Sequence, residues 1–143
     1  MNTPEDLPDP HLMGLASDAQ VARDASARWF VAQGEQGIAL LLRGLHDERL
    51  GLMAHRRILL VLGELGREET IPAIREALHR ALERDDPIVR SGAMEALAAF
   101  RAPDAVRELE ALLEHPDADV ARLATILVDH VRARTDGGDA KGR

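Results

Sequence analysis

Cysteine is absent from the 143 residues, which excludes a disulfide framework, a thiolate zinc site and a cysteine nucleophile. Aromatic residues are almost absent as well, with Trp29, Phe30 and Phe100 the only three. Runs of β-branched and aromatic residues that would make strands are scarce, while Ala and Leu dominate. That balance predicts an all-α chain. Basic residues are outnumbered, 18 Lys and Arg against 25 Asp and Glu, giving a formal charge of −7 and a pI near 5.3. A broad phosphate-binding surface needs clustered Lys and Arg, so nucleic acid is not expected as a ligand. No apolar run is long enough to span a bilayer, and MNTPEDLPDPHLMGL lacks the basic start and apolar core of a secretory signal. These absences predict a soluble, cytoplasmic protein with no membrane partner.

What is present is recurrence. The stretch DDPIVRSGAMEALAAFRAPDAVRELEALLE, residues 85–114, reads as two amphipathic helices joined by a short break. Asp86 and Pro87 suit an N-cap and first helical residue, because a short carboxylate satisfies free amides and proline has none to satisfy. Val89, Ala93, Ala96, Leu97 and Phe100 then share one face, with Arg90, Ser91 and Glu95 on the other. Pro103 opens a second helix whose stripe is Val106, Leu109, Leu112 and Leu113. One stripe per helix makes a hairpin that cannot bury itself, so neighbours must stack on it.

Copies of this unit precede and follow it. Ser17 and Gln20 have the spacing of a capping box, and Val21, Ala25, Trp29 and Ala32 form the first stripe, which puts Trp29 in the core and turns Phe30 outward. Gly34 and Gly37 mark the break before Ile38, Leu41, Leu42 and Leu45. A second copy opens at Asp47, with Leu50, Ala54, Ile58 and Val61 and then Ile71, Ile74, Leu78 and Leu82. A last half-copy runs through Val120, Ala124, Leu127, Val128 and Val131. The organisation expected is a flexible acidic, proline-rich leader over 1–15, one repeat domain over 16–134 and a flexible tail over 135–143.

DDPIVRSGAMEALAAFRAPDAVRELEALLEH resembles HEAT-like repeats, particularly the short bacterial kind found in phycobilisome lyase proteins. The likeness rests on an aspartate, the pair Val89-Arg90, an alanine and a leucine at set distances, and a second helix led by Ala105-Val106. It implies a right-handed α-solenoid of about three and a half antiparallel helix hairpins. The Val-Arg pair is kept only in the third unit, since Ala22, Gly51 and Ala121 replace the arginine elsewhere. In this family the second helices line the inner curve, which nominates Leu40, Arg43, Glu76, His79, Arg80, Glu83, Arg107, Glu108 and Glu114 as a protein-binding surface. Both signs of charge occur among them, which suits a protein partner better than a polyanion.

No catalytic constellation stands out. His46-Asp47 looks like a phosphohydrolase dyad, yet no His-x-x-x-His or His-Glu-x-x-His pair puts two ligands on one helix face. The metal-binding HEAT hydroxylases use His-Glu pairs, and the chain has none. His46 and His115 fit helix ends, where imidazolium complements free carbonyls, and Asp18, Asp47, Asp86 and Asp117 fit helix starts. No cofactor and no metal are expected. Arg28 and Arg57 share a repeat position and suit either an anion or bonds to loop carbonyls and to Asp24.

The expected function is therefore a non-catalytic interaction module, an adaptor or regulatory subunit binding another protein. The lyase resemblance implies an alternative, a tetrapyrrole or small-ligand chaperone or lyase, which the shortage of aromatics and cysteine disfavours. A DNA-repair glycosylase of HEAT-like form would need a basic, aromatic-lined groove that the composition does not supply. Thin capping at Val120 to Val131 suggests a homodimer stacked through the C-terminal repeat.

Overall fold

Why Asp86 and Pro87 start a helix is visible in the computed structural model: the Asp86 carboxylate accepts from the amides of Ile88 and Val89, at 3.0 and 3.2 Å. The structure describes residues 8–100 and 102–141, with side chains as far as Arg134. Among these residues there are eight α-helices and no strand. They are α1 (Pro10–Leu15), α2 (Gln20–Gln33), α3 (Glu35–Gly44), α4 (Leu52–Leu65), α5 (Ile71–Glu83), α6 (Pro87–Ala99), α7 (Pro103–Glu110) and α8 (Ala118–Lys141). Short 3₁₀ turns at Glu48–Leu50 and Glu68–Thr70 lead into α4 and α5. The order gives three hairpins, α2–α3, α4–α5 and α6–α7, closed by α8. Asp117 caps α8 as Asp86 caps α6, accepting from Asp119 and Val120. The chain is an all-α solenoid.

The core is a single seam of aliphatic residues along the stack. Ile58, Leu59, Leu62, Ile74, Leu78, Met94, Leu97, Leu109 and Val120 are almost wholly buried. First helices of successive hairpins lie against each other, and the closest approach is between α4 and α6. A Cβ on Gly63 would fall 2.8 Å from the Ala96 Cα and 2.9 Å from its carbonyl oxygen, so these backbones touch. Gly92 meets Arg56 of α4 in the same way. Gly34 turns α2 into α3 at φ 62°, and Gly66 ends α4 in the left-handed region at φ 66°, conformations that favour glycine.

Five sequence expectations are corrected. The leader expected over 1–15 lies outside the described residues only for 1–7; Pro10–Leu15 is a helix, and Leu12 and Leu15 are buried. Pro10 does not break it because it stands in the first turn, below an Asp9 carboxylate that accepts from the His11 amide at 2.8 Å. Ser17 is not the cap of α2. Its hydroxyl accepts from Ala19, which is itself the N-cap, so the capping box with Gln20 does not form.

The face of α2 is shifted too. Val21 is 80% exposed and Ala25 and Ala32 face solvent, while Ser26 and Phe30 are buried. The cause is α1, which packs on α2 at Gly14 and Ser26 and stacks the His11 ring on Trp29, centroids 3.5 Å apart. Trp29 is half-buried beneath that ring, and Phe30 fills the centre. Arg90, expected on the solvent face, is buried. Its guanidinium lies 3.5 Å from Asp85 and 3.9 Å from Asp117, joining the openings of two successive repeats. Finally, the backbone of α8 stays helical through Lys141 where a loose tail from Thr135 was expected.

Candidate protein-binding surface

The second helices present most of the nominated residues, but they present them as pairs. On α5, Glu76, His79 and Glu83 are exposed and Arg80 is half-buried. Arg80 is held by Glu76 one turn earlier. Glu108 of α7 accepts from Arg75 at 3.2 Å and lies 3.5 Å from the His79 ring, tying α5 to α7. Arg107 pairs with Asp104 at 3.1 Å. Charges that hold neighbouring helices in place are less available to a partner than charges that stand alone, because binding must first break the existing pair.

The remaining nominees are dispersed. Leu40 packs at the edge of the core, and with the exposed Arg43 it lines an open hollow of about 200 Å³ that also takes in Pro8, Leu12 and Asp47. Glu114 is exposed but lies beyond the end of α7, in the turn before α8.

What the structure does gather is a cleft where four helix ends meet. The ends of α3 and α5 and the starts of α4 and α6 enclose about 80 Å³. Leu45, Leu52, Ala77, Ala81 and Val89 make its apolar lining, and His46, Glu48, His55, Arg80, Arg84 and Asp86 its polar one. Arg80 is the nominated residue that belongs to it. Arg84, the C-cap of α5, is exposed and its guanidinium is in no ion pair among the described residues. Leu52 and His55 on α4 and Arg84 at the end of α5 escape a face-by-face reading because they come from different helices of one hairpin. The available signal was positional: each lies within a turn of a repeat junction.

Several polar groups in and next to this cleft are committed to structure. Asp47 accepts from the Arg49 backbone at 3.1 Å and from two guanidinium nitrogens at 2.9 and 2.8 Å. The Arg49 hydrogen bonds hold its carboxyl below the usual value against a smaller opposing effect of burial. His55 directs Nε2 at the Asp47 carbonyl oxygen, 2.8 Å away, which requires a proton on Nε2. The His46-Asp47 dyad is not assembled, since the carboxylate belongs to Arg49. Among the described residues no three His, Asp or Glu side chains converge as a metal site. His115 also departs from the expected capping role, as its Nδ1 accepts from the Asp117 amide at 3.1 Å.

Arg57 resolves in favour of loop carbonyls. It donates to the Leu15 carbonyl at 2.8 Å and to that of Ser17 at 3.4 Å, fixing the junction of α1 and α2 onto α4. Burial, and then the charges of Arg23 and Arg56, lower its pKa from the ordinary guanidinium value. Arg23 supports the same junction by donating to the carbonyls of Ser17 and Asp18.

The fold and the repeat pattern together define the class. The HEAT repeats family matches residues 38–128, and the chain belongs to it. Among solved structures, human deoxyhypusine hydroxylase in complex with glycerol is similar over 88% of this chain, with 22% sequence identity and a TM-score of 0.68. The match covers 44% of that chain, so this protein spans less than half the length of its structural relative. No curated protein matches the sequence. Among the described residues no helix is long and apolar enough to cross a membrane.

Proposed function

We propose that this chain is a protein-binding HEAT-repeat module, an adaptor or regulatory subunit that works through its surface and not through catalysis. The observation that carries this reading is the cleft at the junction of the first and second hairpins with the third. It joins an apolar lining to Arg80 and Arg84, spaced one helical turn apart at the end of α5. Its size suits one aliphatic side chain of a partner segment, and it is well below the ~300–1,000 Å³ of typical small-molecule sites. An acidic residue beside that anchor would meet Arg84, and the mixed charges of Glu76, His79 and Glu83 would form the rim. A preformed cleft of this kind needs little reorganisation on binding.

The pigment-chaperone alternative would need a different site from this cleft. A groove of about 560 Å³ between Glu68 and Arg107 has no aromatic ring in its lining, and it carries Glu68, Glu69 and Asp104 beside Arg75 and Arg107. The test is affinity capture from extract of the source organism at moderate salt, comparing the wild type with Arg80→Glu/Arg84→Glu. A stoichiometric protein retained by the wild type and lost from the double variant is the expected result. Retention of a small molecule with no protein partner would overturn the proposal.

A further inference from the structure

Among the described residues nothing packs on the outward face of α2, yet it is patterned as a helix–helix seam. Val21, Asp24, Ala25, Arg28, Val31 and Ala32 are all exposed, Val21 and Val31 at 80% and 46%. Their spacing alternates three and four residues, placing Val21 and Arg28 at one seam position and Asp24 and Val31 at the other, with Ala25 and Ala32 beside them. Neither Asp24 nor Arg28 is in an ion pair among the described residues, although both side chains are charged and exposed.

The pattern is self-complementary in one orientation only. A two-fold axis level with Ser26 sets each residue against the one equally far beyond Ser26 on a second α2. Val21 then opposes Val31 at both ends, and Asp24 opposes Arg28 twice in the middle. In a parallel pairing the same register would set Asp against Asp and Arg against Arg, which is repulsive. Small Ala25 and Ala32 let the two backbones approach. We infer that α2 is the contact of an antiparallel, two-fold homodimer, held by two Val21–Val31 contacts and two Asp24–Arg28 ion pairs.

This moves self-association from the C-terminal repeat to the N-terminal one. On α8 the large apolar residue exposed is Ile126, flanked by the exposed Arg122, Asp129 and His130. A contact between unlike ends, α2 on α8, would also leave both ends open and propagate into a filament, whereas the two-fold contact closes. No residue of α2 lines the cleft of the proposed function, so dimerisation leaves it accessible. One helix pair lies at the low end of specific interfaces, below about 1,200 Å², so the dimer should dissociate on dilution.

The experiment is sedimentation velocity on the full chain from low micromolar to submillimolar concentration. The wild type should pass from monomer to dimer and stop there. Arg28→Glu should weaken the dimer by more than about tenfold, because both ion pairs become like-charge contacts. Val21→Lys is a second disrupting variant, and unchanged far-ultraviolet circular dichroism shows that each still folds. The exchange Asp24→Arg with Arg28→Asp should restore dimerisation, a rescue within one chain that works only if the partner is a second copy. A wild type monomeric throughout, a larger open assembly, a dimer indifferent to Arg28→Glu, or no rescue by the exchange would each overturn the inference.

Discussion

Phe30 and Val21 measure how far one helical face can be misread. Periodicity alone favours Val21, Ala25, Trp29 and Ala32 as the core stripe, whereas Phe30 has no exposed surface and Val21 has most of its own. Phe30→Ala should cost about 3–5 kcal/mol in urea unfolding, as a large buried ring leaves a cavity. Val21→Ala should stay within about 0.5 kcal/mol. A reversed ranking would restore the simple stripe. Asp47 gives a pH signature. Its folded-state pKa is depressed by Arg49, so its stabilising contribution is present above the unfolded carboxylate pKa and is lost as pH falls through the folded value. The stability difference between wild type and Asp47→Asn should therefore shrink on acidification below about pH 4, where unfolded carboxylates protonate.

Among the elements, α4 and α6 meet backbone to backbone. Alanine is the better helix former by about 1 kcal/mol, yet Gly63→Ala should destabilise, because its Cβ meets backbone atoms of Ala96 and the helices must part. The net loss should be about 1–3 kcal/mol, read from the midpoint of urea unfolding. At the other extreme, α1 is a six-residue helix that depends on its supports. Removing the Arg57 guanidinium with Arg57→Met leaves the Leu15 and Ser17 carbonyls without that donor. Hydrogen exchange in α1 should then accelerate while α5 to α7 stay protected.

The hairpins, the Asp86 and Asp117 caps and the buried stripes of α4, α6 and α8 were all legible in the sequence. Each has local chemistry and one apolar face pointing to the same answer. The register of α2 was not, because both of its faces carry apolar residues and only the docking of α1 chooses between them. Arg90 was misplaced for a related reason: its partners Asp85 and Asp117 come from different repeat openings. The same logic hid most of the cleft. Arg80 could be read from its helix face, but Leu52 and His55 meet Arg84 only across the α4–α5 hairpin, and Leu45 and Val89 join them only once the hairpins are stacked.

At the scale of the whole molecule, stacking does two things at once. It buries stripes that no hairpin can bury alone, and it brings helix ends of neighbouring repeats together into a cleft that no single repeat contains. The outer face of α2 remains for a second copy. The most direct test of this account is hydrogen exchange on the chain alone and on the complex recovered by affinity capture. The account predicts added protection over residues 45–55 and 77–89, the segments that line the cleft, when the partner is bound. Protection absent from both segments, with a partner demonstrably bound, would contradict it.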